Sequence, residues 1–253
     1  MIQLPNIPHR PEKPRKKGLT MVMDKGISTQ EAQMLIESSK DFIDIIKFGF
    51  GTALITKNIK EKIKLYHDNG IKVYLGGTLF EAFIARDMFQ EYCEFISELG
   101  LKTVEVSDGS MTMDHNKKCE YIETLASKKL TVFSEVGYKS SNKIIAPSKW
   151  IDMMAKEIDA GSWKVIAEAR ESGNVGLYRS GGEVRSDLIE EILTKIEKDK
   201  ILWEAPQKKQ QVFFIKLLGE NVNLGNIGTH DVIPLECLRL GLRGDTFFNF
   251  IKQ

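Results

Sequence analysis

The sequence predicts an α/β fold, a single-domain (β/α)8 TIM barrel preceded by an extended N-terminal arm. After residue 18, short apolar and β-branched runs alternate with longer amphipathic segments, which is the pattern of repeated βα units. About eight such units fit into the 253 residues, and a barrel of this kind typically needs roughly 250. The first strand leads into Met23-Asp24-Lys25-Gly26 and not into a GxGxxG turn, which argues against the competing open doubly wound sheet.

The predicted strands share an apolar or β-branched run that is followed by polar residues or glycine. They are Leu19–Met23, Phe42–Phe48, Ile71–Leu75, Thr103–Val106, Thr131–Val136, Lys164–Ala167, Ile201–Glu204 and Val222–Leu224. The predicted helices share amphipathic spacing. They are Ser28–Ser39, Asn58–Asn69, Glu81–Leu99, Asp114–Ser127, Ser148–Asp159, Ser186–Glu197, Gln207–Leu218 and Pro234–Leu240. Ser28 followed by Glu31 forms a capping-box pattern, and Gly70 and Gly100 stand where helices should end.

Residues 1–18 form the predicted arm, and residues 19–253 form the predicted barrel. Between Pro5 and Gly18 the chain carries four prolines and five Lys or Arg residues, a composition that disfavours both helix and strand. A solvated tail and a contact within an oligomer are both compatible with it. The rest of the chain shows no shift in composition that would divide it into two domains.

Composition and charge exclude several functional classes. The 36 Lys and Arg residues balance 35 Asp and Glu residues, so no overall field attracts nucleic acid or an anionic membrane. No apolar stretch approaches the roughly 20 residues that span a bilayer, and we expect a cytoplasmic protein. The three cysteines include no CxxC pair, which argues against a disulfide framework or a zinc site. We therefore expect small-molecule substrates and no nucleic-acid or membrane partner.

The ends of the predicted strands carry many charged side chains. In a barrel these ends and the loops after them form the active site. Glu105, Glu135, Glu168 and Glu204 fall on consecutive strands, where a carboxylate is costly to bury unless it is paired or binds a metal. Oxygen ligands of this kind suit Mg²⁺. The structural alternative is a ring of ion pairs between these glutamates and nearby lysines and arginines.

The segment 170–185, RESGNVGLYRSGGEVR, is the second candidate region. Its glycines allow backbone N–H groups to approach an oxyanion, and Arg170, Arg179 and Arg185 can give bidentate contacts. The pattern predicts a phosphate or sulfonate binder or a mobile lid, although a solvated connection has the same composition. Asn223, with Gly225 and Asn226, lies at the predicted eighth strand, where barrels often bind phosphate.

Several of these segments together resemble the phosphosulfolactate synthase family. The matching segments are KPRKKGLTMVMDKG (13–26), IDIIKFGFGT (43–52), EVSDG (105–109), SEVGYK (134–139), EARESG (168–173), WEAPQKKQQ (203–211), VNLGNI (222–227) and LRLGLRGDT (238–246). The resemblance implies a Mg²⁺-dependent carbon–sulfur lyase that adds sulfite to phosphoenolpyruvate and gives (2R)-phospho-3-sulfolactate. Such enzymes serve coenzyme M synthesis in methanogens and sulfolactate synthesis in some bacteria. A compact homo-oligomer is also implied.

The same resemblance implies that Lys139 is the general acid. One departure is Tyr138, where the methanogen-like pattern has a second lysine beside the one that matches Lys139. Sulfite attack on C3 moves negative charge onto the substrate carboxylate, which calls for a Lewis acid, and C2 must then receive a proton. The candidates for holding sulfite, carboxylate and phosphate are Lys25, Lys47, Arg170, Arg179, Arg185 and Asn223. Two alternatives stay open: a barrel aldolase that uses Lys47 or Lys139 as a Schiff-base amine, and a non-catalytic anion-binding barrel.

Overall fold

The computed structural model of the protein describes residues 4–137, 146–169 and 172–251. Strands and helices alternate along the chain. The strands are β1 (Thr20–Asp24), β2 (Ile45–Phe48), β3 (Lys72–Leu75), β4 (Thr103–Val106), β5 (Thr131–Val136), β6 (Lys164–Ala167), β7 (Ile201–Glu204) and β8 (Leu224–Ile227). The helices are α1 (Thr29–Ser39), α2 (Thr52–Ile55), α3 (Ile59–Asp68), α4 (Gly77–Ile84), α5 (Phe89–Glu98), α6 (His115–Ser127), α7 (Pro147–Asp159), α8 (Ser186–Leu193), α9 (Lys208–Leu218), α10 (Val232–Arg239) and α11 (Phe247–Phe250).

The strands form one eight-stranded sheet in the order β3-β2-β1-β8-β7-β6-β5-β4, and each hydrogen-bonded neighbour pair is parallel. β3 also lies against β4, which brings the two edges of the sheet together. The predicted (β/α)8 barrel is therefore confirmed. All the carboxyl ends of the strands meet at one mouth, so side chains far apart in the sequence become neighbours there.

Strand residues alternate between the barrel interior and the helix layer, as the period of two requires. The lower interior is filled by apolar side chains from different strands, among them Met21, Ile45, Phe133, Ile166 and Leu202. Two residues further along the same strands, the interior side chains become Met23, Lys47, Glu135, Glu168 and Glu204. The change from apolar to charged residues thus occurs in one layer, just below the mouth.

Several predicted elements differ from the structure in their boundaries; the predicted strand Phe42–Phe48, for example, begins only at Ile45. Two other differences bear on the site. The predicted helix 81–99 is two helices, because Asp87 adopts a left-handed conformation with a φ of 56° that interrupts the helix. The predicted eighth strand begins two residues too early. β8 carries an extra residue relative to β1, since Thr20 pairs with Leu224 and Val22 pairs with Ile227. A search for apolar runs in the sequence does not detect such an irregularity.

The N-terminal arm packs against the barrel through its basic side chains. Arg10 donates to Glu236 at 2.9 Å, and Arg15 donates to Asp44 at 3.2 Å. Asp44 also accepts from the backbone N–H of Thr20 at 2.9 Å, so the arm is tied to the start of β1. Among the residues the structure describes, no helix is both long and apolar enough to cross a membrane.

Candidate active site

Four glutamates from neighbouring strands converge at the mouth of the barrel. Glu105, Glu135, Glu168 and Glu204 lie at the ends of β4, β5, β6 and β7, and each is at most 2% exposed. Lys47 reaches them from β2 across the interior. Four buried carboxylates around one described ammonium leave an excess of negative charge, which is costly unless a further cation or a proton compensates it.

Lys47 is the centre of the observed ion pairs. Its Nζ lies 3.0 Å from Glu105 Oε2, 3.3 Å from Glu204 Oε1 and 3.6 Å from Glu135 Oε2. Burial alone would lower the pKa of Lys47, but Glu105 and Glu204 outweigh it and raise that pKa well above its ordinary value. The Lys47 amine is therefore held protonated, which disfavours the Schiff-base alternative at this residue.

Three of the glutamates could hold a metal ion. One carboxylate oxygen from each of Glu135, Glu168 and Glu204 lies within 4.8 Å of the others. Glu105 is outside this group. The donor set consists only of carboxylate oxygens and carries excess negative charge, which fits a hard divalent cation such as Mg²⁺. Three of the four predicted glutamates thus form the group that could hold a metal ion. The fourth, Glu105, lies outside this group and is the nearest carboxylate to Lys47.

Backbone groups and a hydroxyl orient the glutamates. The N–H of Gly77, the first residue of α4, donates to Glu105 Oε1. The N–H of Ala169 donates to Glu204 Oε2 at 2.9 Å. The Oγ of Ser107 lies 2.8 Å from Glu135 Oε1 and 2.7 Å from Glu81 Oε1. Hydrogen bonds of this kind fix the rotamers of groups that bind a metal or substrate.

Glu81 was not predicted as a site residue. It stands at the start of a predicted helix, where an acidic residue is ordinary. Its position depends on Gly77, since a Cβ at that residue would lie 2.3 Å from Ser107 Cβ. The glycine pair at residues 76 and 77 after β3 was the available signal of a close approach between α4 and the site.

Two further carboxylates near the strand ends pair with lysines of the surrounding helices. Asp24 binds buried Lys62 at 2.7 Å. Asp108 binds Lys118 at 2.8 Å, and Lys118 also donates to the backbone carbonyl of Glu135 at 2.6 Å. These pairs hold the loops after β1 and β4 in place. They are structural supports of the mouth.

A cavity of about 260 Å³ lies directly above the glutamates. Its wall contains Lys47 and the four glutamates together with residues of β1 and β8 and of the segments that follow β2, β3 and β4. These further residues are Met23, Phe50, Gly76, Gly77, Thr78, Ser110 and Asn226. The cavity combines a concave shape with convergent polar groups, as expected of a site for a small anionic substrate.

The predicted anion-binding loop has a different arrangement. Tyr178 pairs with Val184 in a short antiparallel bridge, and Arg179 is exposed. Arg185 donates to the carbonyl of Gly176 at 3.2 Å. Of the residues the structure describes, those that line the cavity do not include Arg179 or Arg185. Whether these arginines contact a substrate anion stays a prediction.

The described part of this loop clamps two metal-ligand candidates. The Tyr178 hydroxyl donates to the backbone carbonyl of Glu204 at 2.6 Å. The backbone N–H of Leu177 donates to the backbone carbonyl of Glu168 at 3.1 Å. Gly176 has a φ of 62°, and a Cβ there would lie 2.0 Å from Glu168 O. Only glycine fits so close to the Glu168 backbone. At Gly176 the close partner is the protein's own chain, and the predicted approach of these glycines to a substrate oxyanion stays a prediction.

The placement of Asn223 at the phosphate end of the barrel was wrong. Asn223 precedes β8 and lies at the opposite end, where its Oδ1 accepts from Leu19 N at 3.1 Å and its Nδ2 donates to Ile201 O at 3.0 Å. The two-residue error in the start of β8 caused this. Asn226 lies at the mouth instead. Its φ of 55° marks the irregular part of β8.

The remaining predicted site residues are Lys25, Lys139 and Arg170. Lys25 is exposed at the mouth, where it lines two further cavities beside the central one. Lys139 and Arg170 lie outside the described residues. The last described residue before Lys139 is Gly137, which directly follows β5 and Glu135 on the mouth side.

Glu204 has a strongly shifted protonation equilibrium. Burial raises the pKa of its carboxyl to about 7; Lys47 opposes that rise, and Glu135 and Glu105 add to it. The like charges of the cluster thus favour one retained proton when no other cation is bound.

We expect metal-free protein to lose stability as the pH rises. Between the ordinary pKa of 4.5 and the folded value of about 7, the folded chain keeps the Glu204 proton and the unfolded chain does not. Stability therefore falls through this window, by up to about 3 kcal/mol, and levels off above it. Thermal midpoints in EDTA from pH 5 to pH 8 measure this. The slope should flatten in Glu204→Gln, and an unchanged slope in that variant would contradict the assignment.

Comparisons with known proteins agree with the geometry. The family described as (2R)-phospho-3-sulfolactate synthase (ComA) matches residues 8–245. The phosphosulfolactate synthase of Methanothermobacter thermautotrophicus is 41% identical over 244 residues, which cover 94% of this chain and 95% of that protein. The phosphosulfolactate synthase of Bacillus subtilis is 39% identical over 245 residues and covers 96% and 97% of the two chains.

The chain belongs to the phosphosulfolactate synthase family. The resemblance drawn from the sequence motifs is confirmed, and so is the expectation of an enzyme. Among solved structures, 3-hexulose-6-phosphate synthase from Salmonella typhimurium aligns with a TM-score of 0.57 at 13% identity and covers 86% of this chain and 98% of that one. That likeness concerns the barrel fold alone. The glutamate cluster and its cavity are thus the candidate active site of a phosphosulfolactate synthase.

Proposed function

We propose that this protein adds sulfite to phosphoenolpyruvate to give (2R)-phospho-3-sulfolactate, with Mg²⁺ bound by Glu135, Glu168 and Glu204. The observation that carries the metal assignment is the buried group of three carboxylates, which faces a cavity large enough for a small substrate. Family membership supports the reaction. A bound Mg²⁺ would act as a Lewis acid towards the negative charge that develops on the substrate carboxylate.

The chain's own residues divide the remaining tasks. Lys47 is proposed to meet the substrate carboxylate or sulfite from the cavity wall, since its side chain lines that wall. Lys25 and Asn226 lie beside the loop after β8, and we assign them to the phosphate. Arg170, two residues before Ser172 in the sequence, is a further anion contact in this proposal. Lys139 is proposed to protonate C2 after sulfite has attacked C3.

The carboxylates below the cavity are almost fully buried. A low-dielectric site strengthens each charge interaction with the substrate. A cytoplasmic location and a homo-oligomeric assembly complete the proposal.

The direct test is to incubate the purified protein with phosphoenolpyruvate, sulfite and MgCl₂ and to look for phosphosulfolactate by mass spectrometry. We expect product with Mg²⁺, none after EDTA treatment, and recovery when Mg²⁺ is added back. Absence of product with any divalent cation would refute the activity. Full turnover in metal-free enzyme would refute the metal assignment while leaving the reaction in place.

A further inference from the structure

Lys47 has an unexpected position for a substrate-binding residue, because its ammonium lies inside the carboxylate cluster. Its Nζ is 3.3 Å from Glu204 Oε1 and 3.6 Å from Glu135 Oε2. Both glutamates belong to the group of three that could hold a metal ion. A divalent cation on this group and the Lys47 ammonium would share the carboxylates of Glu135 and Glu204 and repel each other at short range in a buried site.

Lys47 has a second anchor that a metal ion would leave in place. Glu105 Oε2 is its nearest partner, at 3.0 Å, and Glu105 does not belong to the group of three. The other oxygen of Glu105 accepts from the N–H of Gly77, which fixes this carboxylate independently of Lys47. The ammonium can therefore lose two carboxylate partners and still keep one.

The surroundings leave room for the Lys47 side chain to turn. A Cβ at residue 76 would lie 3.2 Å from Lys47 Cε, which is closer than an ordinary contact, so the stem can lie here only because Gly76 has no side chain. The cavity above the cluster is itself lined by Lys47. A short rotation of the terminal carbons would bring the ammonium out of the carboxylate layer and into this cavity.

We infer that the Lys47 ammonium and a divalent cation alternate on Glu135 and Glu204. This inference rests on the proposed metal site. In the metal-free protein the ammonium neutralises part of the charge of the cluster. When the divalent cation binds, Lys47 keeps Glu105 and turns its ammonium towards the cavity, where an anionic substrate lies. Metal binding thereby prepares the substrate contact, and the ammonium lowers the affinity of the cluster for metal.

The competition is tested by titrating wild type and Lys47→Met with MgCl₂ by calorimetry, and with Mn²⁺ by electron paramagnetic resonance. Removing the competing cation should tighten metal binding on the order of tenfold, within the range typical of coupled sites. The matched control is Lys62→Met, which removes a buried lysine that pairs with Asp24 outside the cluster and should leave the metal affinity unchanged. With Mg²⁺ bound, Lys47→Met should still show a raised KM for phosphoenolpyruvate.

Unchanged or weaker metal binding in Lys47→Met would overturn the exchange. If wild type and both variants bind no divalent cation, the proposed metal site fails instead, so the two failures are distinguishable. Should Lys47→Met fold only with metal, its thermal midpoint against MgCl₂ concentration gives the second readout. The exchange predicts a larger Mg²⁺-induced rise than in wild type, and an equal or smaller rise would overturn it.

Discussion

Glu168→Gln is expected to abolish metal binding and to lower kcat/KM by about 10³-fold or more. The substitution keeps the shape of the side chain but removes one of the three charges that group Glu135, Glu168 and Glu204 around a cation position. A neutral amide is a weaker ligand for Mg²⁺, and the Lewis-acid contribution to the reaction is lost with the metal. The measurement is a Mg²⁺ titration by calorimetry together with steady-state kinetics at saturating MgCl₂.

The matched control for this prediction is Glu236→Gln. Glu236 is also buried, but it pairs with Arg10 of the N-terminal arm at 2.9 Å and lies away from the cluster. Its replacement should cost some thermal stability and leave the metal affinity and KM unchanged. Wild-type Mg²⁺ affinity in Glu168→Gln would remove this residue from the metal site, whatever happens to turnover.

The glutamate cluster was predictable from the sequence because two simple rules apply to it. Parallel strands bring their carboxyl ends to one edge, and side chains two residues apart share a face. Glu135 follows Phe133 and Glu204 follows Leu202 at that spacing, so both must point inward once the strands are placed. Neither rule depends on the length or path of the loops.

The loops were less predictable, since their side chains have no fixed period. Glycines in the segment 170–185 predicted a close approach to a substrate oxyanion, and at Gly176 the structure shows a close approach to the Glu168 carbonyl. Composition cannot distinguish a ligand oxygen from a backbone oxygen. The pairing of Asp108 with Lys118 depended on the rotation of α6, which sequence spacing leaves open.

Asn223 shows how a small boundary error moves a residue to the wrong end of the barrel. The strand assignment from residue 222 placed Asn223 next to the mouth, whereas β8 begins at Leu224 and its extra residue places Asn226 there. A short strand spans only about 13 Å, so two residues of shift are half its length. Sites on such strands need the register as well as the pattern.

The end of β5 is fixed by Gly137, the residue that follows it. It has a φ of 134°, and a Cβ there would lie 2.6 Å from Glu168 Cβ and 2.9 Å from Trp150. A larger residue would therefore push the end of β5 away from the neighbouring metal-ligand candidate.

Lys139→Met is expected to lower kcat by roughly the 10²–10⁴-fold typical of the loss of a general acid, with the thermal midpoint unchanged. Methionine keeps most of the apolar stem but cannot donate a proton.

Lys139→Arg separates the donation of a proton from the positive charge, because arginine keeps the charge and stays protonated at accessible pH. For Lys139→Arg we expect a KM for phosphoenolpyruvate near that of wild type and a kcat nearly as low as that of Lys139→Met. Lys149→Met, an exposed lysine on α7, is the control and should behave as wild type. Wild-type kcat in Lys139→Met would exclude the residue from proton transfer, and full recovery of kcat in Lys139→Arg would assign it to anion binding instead.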